Sequence, residues 1–183
     1  MSVSHDKLKK MILYLQLLYF KVKGVAGMYD DAYVTYLAHF TGTRDYFECH
    51  EILEERWKKE TPLDRNSIWV GFIQLAVSLY HQRRGNHVGA LRLIKKAKQK
   101  FHLHHALIEN FGLSKSEMLK TLDMLESNIQ QKKAYQSISL PIQDKRLTEQ
   151  VRQKCSKWNC AFNSKSDLSD HYIVHKHMLR HDN

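Results

Sequence analysis

Between Ile68 and Arg84 the chain reads IWVGFIQLAVSLYHQRR, with apolar residues on every side of a helix instead of along one stripe. Such a helix has no face to give to water, so other elements must cover it. One buried central helix, stopped by Gly85, therefore fixes the architecture before any other segment is read. A length of 183 residues allows a real core around it, as one domain with an appendage or two very small ones. Only 7 Gly and 2 Pro argue against a turn-rich all-β fold.

The flanking segments supply the cover. Ala32, Tyr33, Tyr36, Leu37 and Phe40 recur at spacings of three and four and predict an amphipathic helix over Tyr29–Phe40. A second helix is expected over Asp45–Lys59, with acidic residues in its first turns as the helix dipole prefers. A third partner runs Asn86–Phe101, with Val88, Leu91, Leu93, Ile94, Ala97 and Phe101 inward, and a capping box at Ser114–Glu117 opens another to about Lys132. Tyr135–Ile142, with β-branched residues and Pro141, predicts an extended connector, followed by short helices over Asp144–Lys157 and Ser166–Leu179. The expected fold is all-α, a helical bundle of five to seven helices with largely antiparallel neighbours. Residues 28–133 form its core, 134–183 a C-terminal extension, and 1–27 an N-terminal extension or docking helix.

That first segment carries three readings. Lys7–Phe20 is basic and then apolar, like the first two regions of a secretory signal, but Gln16 interrupts it and Ala26–Gly27 makes a poor cleavage site. A surface helix is the better reading; in the third, Met28 is the natural start and the preceding residues are an upstream extension. No stretch reaches the roughly 20 apolar residues needed to span a bilayer. Three cysteines, Cys49, Cys155 and Cys160, are too few for a disulfide framework and fit a cytoplasmic location.

The candidate site lies where two helices each carry a polar stripe. His50, Glu54 and Trp57 sit at i, i+4 and i+7 of the second helix, while Glu51 and Glu55 turn aside. Gln74, Ser78 and His81 repeat that geometry on the central helix. If the stripes face each other, His50, Glu54, Gln74 and His81 converge in a buried cluster shielded by Trp57, where an unpaired group costs about 1–3 kcal/mol.

These residues resemble the signature of domain of unknown function family 309, a helical His-x-x-x-Glu-x-x-Trp followed by an apolar helix ending near His and then Arg-Gly-Asn. The matches are His50, Glu54, Trp57, Gly71, Gln74, His81, Arg84, Gly85, Asn86, Gly89 and Ala90, in order and spacing. Leu140–Pro141 and Ser166–His177 are similar to the longer C-terminal tail of Bacillus-like members. The resemblance implies a helical bundle and supplies no activity.

Three chemistries compete for the cluster. It is a satisfied structural network in which Glu54 accepts from His50, His81 or Arg84; or a divalent-metal site built from His50, Glu54 and His81; or a metal-free acid–base pair with Glu54 orienting a histidine. The first is the expectation, with no cofactor required. A second metal reading concerns the tail, where Cys155, Cys160, His171 and His175 follow part of a zinc-finger spacing, although Cys160 to Phe162 and Cys160 to His171 are too short for one. A surface helix bearing free thiols is the plainer account.

The formal net charge of +10 makes polyanions plausible partners. Arg83 and Arg84 lead into Arg92, Lys95, Lys96, Lys98 and Lys100, a basic face that suits phosphates but matches no nucleic-acid module and reads as solvated. The segment from Tyr80 through Asn86, Ala90 and Ile94 to Ala97 resembles one tetratricopeptide hairpin, a packing common in docking scaffolds. The leading class is thus a protein-binding or scaffold module, with a homo-oligomer compatible. An enzyme built on His50, Glu54 and His81 and a nucleic-acid binder using the basic face are the alternatives.

Overall fold

The computed structural model describes residues 29–179, with side chains to residue 177. Its elements are α1 (Asp31–Ala38), a π-helical turn (His39–Thr43), α2 (Tyr46–Lys58), α3 (Ile68–Arg83), α4 (His87–Leu103), a 3-10 stretch (His105–Phe111), α5 (Lys115–Gln130), α6 (Lys145–Lys157) and α7 (His171–Leu179). The described residues contain no strand beyond an isolated antiparallel bridge between Leu113 and Ile142, so the bundle is all-α. None of the described helices is long and apolar enough to cross a membrane. The readings placed on residues 1–27 lie outside the described residues.

Helix α3 is the buried axis, with Trp69, Phe72, Leu75, Ala76 and Leu79 sealed between α2 and α4. Helix α5 covers α4 through Met118, Leu122, Leu125 and Ile129, and α6 covers α1 through Leu147, Val151 and Cys155. At the centre Tyr33 packs 5.3 Å from Phe72 and 5.2 Å from Phe111, ring centre to ring centre, and donates its hydroxyl to the Phe111 carbonyl at 2.9 Å. Tyr36 likewise donates to the Phe72 carbonyl at 3.1 Å. The apolar bodies are thereby buried without stranding a hydroxyl.

Polar side chains set the helix starts. Asp30, Asp45, Ser67, Asn86, Ser114 and Asp144 each accept a backbone N–H from the turn they open. Three features depart from the expected pattern. First, α1 stops at Ala38 and widens into a π turn, because Thr41 donates to the Leu37 carbonyl at 2.7 Å and Arg44, at φ 59°, donates to the Phe40 carbonyl at 2.7 Å. Second, the 3-10 stretch His105–Phe111 was not legible, since Leu107, Ile108 and Phe111 are too few to make a period. Third, α7 begins at His171 instead of Ser166: Asp167 turns the chain by accepting from Ser169, and Asp170 accepts from the Ile173 N–H at 3.0 Å.

Candidate functional site

The α3–α4 corner shows why a run of motif residues is needed. Gly85 takes φ 73°, the left-handed conformation that ends a helix most cheaply. Its N–H reaches the Gln82 carbonyl and the Asn86 N–H reaches the His81 carbonyl, both at 2.9 Å, which is the pairing of a Schellman close. Asn86 then caps α4 by accepting from the Gly89 N–H at 2.9 Å, and its Nδ2 lies 3.1 Å from His81 Nδ1. A Cβ on Gly89 would stand 2.8 Å from that same Nδ2, so glycine there lets the cap lie close against the helix. Gly85, Asn86, Gly89 and Ala90 thus build a corner, and the corner fixes His81.

His81 points to a pocket of about 200 Å³ lined by Tyr46, Phe47 and His50 of α2, by Val77, Tyr80, His81 and the adjoining Arg84 of α3, and by His177 of α7. The pocket therefore joins the two stripes through His50 and His81 and takes its third wall from the tail. Burial, and then the positive charges of Arg84 and Arg92 and the neighbouring His177, hold the His81 pKa below its usual value. Arg84 sits 5.3 Å over the Tyr80 ring, with Nη1 3.4 Å from the Tyr80 hydroxyl.

The remaining stripe residues go elsewhere. Ser78 donates to the Ala90 carbonyl at 2.8 Å, toward α4, because small residues let those helices approach and a buried hydroxyl takes the nearest acceptor. Gln74 is half-buried, and it is not among the pocket-lining residues. Trp57 donates its indole N–H to the Asp64 carbonyl at 2.7 Å, pinning the α2–α3 loop instead of shielding the histidines.

On the pocket rim, His50 Nε2 lies 3.0 Å from Glu54 Oε2, and Lys58 lies 3.0 Å from the other Glu54 oxygen. Glu51, expected to turn aside, reaches His50 Nδ1 at 3.0 Å. One atom from each of His50, Glu51 and Glu54 falls within 4.8 Å of the others, a spacing that could hold a cation, and His81 is not part of that set. All three side chains are between 30% and 40% exposed, so this is a rim and not an interior cluster.

The tail ligands separate. Cys155 and Cys160 lie together against Gly42, whereas His171 and His175 stack on each other 5.6 Å apart, and no described residues bring these four into one ligand set. The basic face shrinks as well. Arg83 is buried, donating to the Arg44 carbonyl at 2.7 Å and the Ile173 carbonyl at 2.9 Å, and Lys98 is paired with Asp123 and Glu126 at 2.7 and 2.8 Å. Arg92, Lys95 and Lys96 stay exposed.

Sequence reasoning missed Phe47, Tyr80 and Val77, whose spacing assigns them to the core, and His177, which lies far along the chain. No solved structure matches the chain. It is 45% identical over 153 residues to the uncharacterized protein YpuF of Bacillus subtilis (strain 168), covering 84% of this chain and 88% of that one. The model of a domain of unknown function, DUF309, matches residues 33–93, a span that runs from within α1 through α2, α3 and the corner. With the motif, the corner it builds and this relative in agreement, the chain belongs to the DUF309 family.

Proposed function

We propose that the chain is a cytoplasmic protein-docking module that takes one apolar side chain of a partner, flanked by a carboxylate, into the pocket between α2, α3 and α7. The observation that carries this reading is the pocket's size set against its lining. About 200 Å³ is below the roughly 300–1,000 Å³ of ordinary cofactor and small-molecule sites, which favours a small anchor over a whole ligand. Phe47, Tyr46, Val77 and Tyr80 supply an apolar body, while Arg84, His81 and His177 supply donors for an acid beside it. A buried anchor in such a pocket, ringed by weaker contacts, is how interfaces concentrate their affinity. Three free thiols among the described residues support the cytoplasmic placement.

The test is a titration with acetyl-Phe-Glu-amide, read through the imidazole C–H resonances of His50, His81 and His177. Saturable shifts in the range of about 1–10 mM are expected, as suits an isolated anchor. The acetyl-Phe-Lys-amide control should bind several-fold more weakly, and Val77→Phe, which fills the pocket, should abolish the shifts. Equal response to both peptides, or none to either, refutes the reading. A second copy of the chain is the competing occupant, and sedimentation at rising concentration separates it.

A second reading is favoured by the His50–Glu51–Glu54 constellation: a metal-dependent or acid–base enzyme using His50 and Glu54, with Glu51 in the place expected for His81. His50 faces one carboxylate from each ring nitrogen, both at 3.0 Å, and a cation held among the three would offset their negative charge. Glu54 is already met by Lys58, which makes this the weaker reading.

A further inference from the structure

Helix α6 closes as α3 does, with a Schellman motif. Asn159 takes φ 53°, its N–H bonds the Ser156 carbonyl at 3.1 Å, and the Cys160 N–H bonds the Cys155 carbonyl at 3.0 Å. That pairing brings the third-last helical residue and the second residue beyond the cap against each other, where an apolar contact usually sits. Here both positions are cysteine. A Cβ built on Gly42 would stand 2.8 Å from the sulfur of each, so the two sulfurs are no farther apart than twice that distance. Cys160 Sγ also lies 3.5 Å from the Cys155 carbonyl.

We propose that Cys155 and Cys160 form a reversible dithiol–disulfide pair, oxidised by low-molecular-weight disulfides. The two sulfurs differ in access, since Cys155 is buried and Cys160 half-buried. Burial first, and then its neighbour Cys160, push the Cys155 thiol up to about 12, so Cys160 is the attacking group. Its thiolate attacks one sulfur of the small disulfide, forming a mixed disulfide and releasing one small thiolate. Cys155 then loses its proton to solvent and attacks Cys160 Sγ, releasing the second small thiolate. Two protein thiols become one disulfide, and the small disulfide is reduced to two thiols. The bond would tie the end of α6 to the loop that holds the π turn, where Ser164 donates to the Gly42 carbonyl and Arg44 Nε donates to the Ser164 carbonyl at 2.8 Å. Because the motif already holds the backbone at the two positions together, closure asks mainly for side-chain rotation.

The full chain is incubated with oxidised glutathione, alkylated and digested with trypsin, which cuts after Lys157, between the two cysteines. The expected result is a pair of peptides joined through Cys155 and Cys160, separated by dithiothreitol, with Cys49 recovered in alkylated form. In Cys155→Ala the glutathione adduct should accumulate on Cys160, whereas in wild type it is transient. A stable glutathione adduct on wild-type Cys160, a cross-link between chains, or no oxidation at all overturns the proposal. The wild-type peptide map decides alone if the variant does not fold.

Discussion

Lys176 of α7 places its ammonium between two carboxylates of α2, 2.6 Å from Asp45 Oδ2 and 2.7 Å from Glu48 Oε1. Asp45 is at the same time the cap of α2, accepting from the Glu48 N–H at 3.1 Å, so a single side chain both starts the helix and receives the tail. The Asp45 side chain is 5% exposed and that of Lys176 12%. Burial by itself lowers the Lys176 pKa, but the hydrogen bonds to Asp45 and Glu48 outweigh it and the net shift is upward. Because His177 follows directly and lines the pocket, this latch sets the position of the pocket's third wall.

Lys176→Met is expected to cost about 3 kcal/mol, because it leaves the Asp45 charge buried without its partner. Combining it with Asp45→Asn should recover part of that loss, since the stranded charge is then gone. Urea unfolding measures both. A loss below about 0.5 kcal/mol would mean the latch behaves as an exposed surface pair.

Two histidines contribute a pH dependence with a definite sign. His81 and His39 both titrate below 6.5 in the folded chain, in each case chiefly through burial. Between the lowered folded value and 6.5 the unfolded chain therefore binds more protons than the native one, and stability rises with pH across that window. Denaturant midpoints should fall on acidification from pH 7 to pH 5. His81→Gln should flatten the slope in part and leave the share due to His39. A slope unchanged in His81→Gln, or one of opposite sign, contradicts the assignment.

The fold was legible because α3 has no polar face, and one fully apolar helix dictates a cover of amphipathic ones. The corner was legible too, because the work of Gly85 and Asn86 is local, ending one helix and starting the next. The pocket was legible only in part. Helical spacing brought His50 and His81 to facing stripes, but it could not show that Ser78 would find the Ala90 carbonyl or that Glu51 would bend back to His50. Those outcomes depend on which acceptor lies nearest in three dimensions. The latch between Lys176 and Asp45 joins residues 131 positions apart and has no periodic signal at all.

Glu54→Gln tests whether the His50 rim is structural or holds a metal. Glu54 is shared by His50 and Lys58, so its loss should cost about 1 kcal/mol, a charged hydrogen bond discounted for partial exposure. A cation held by His50, Glu51 and Glu54 would have to part His50 from Glu54 and displace Lys58, and the expected result is an equal fall in Tm with and without zinc or manganese. Stabilisation of wild type that grows with metal concentration and vanishes in the variant would favour the metal-dependent reading.

The basic face separates into two kinds of lysine, and charge reversal distinguishes them. Lys98 is held by Asp123 and then Glu126, whose hydrogen bonds raise its pKa, so Lys98→Glu places three carboxylates together and should cost about 1 kcal/mol. Lys95 and Lys96 are exposed, and reversing both should change stability by no more than about 0.5 kcal/mol. With Arg83 buried and Lys98 engaged, the charges left for a phosphate backbone are few, and single-stranded RNA should bind weakly at about 0.15 M salt before and after the double reversal. Each phosphate contact releases counterions, so a true interface would show a steep fall of log affinity with log salt. Submicromolar binding that loses its salt slope in Lys95→Glu/Lys96→Glu would make this face a nucleic-acid surface and displace the docking reading.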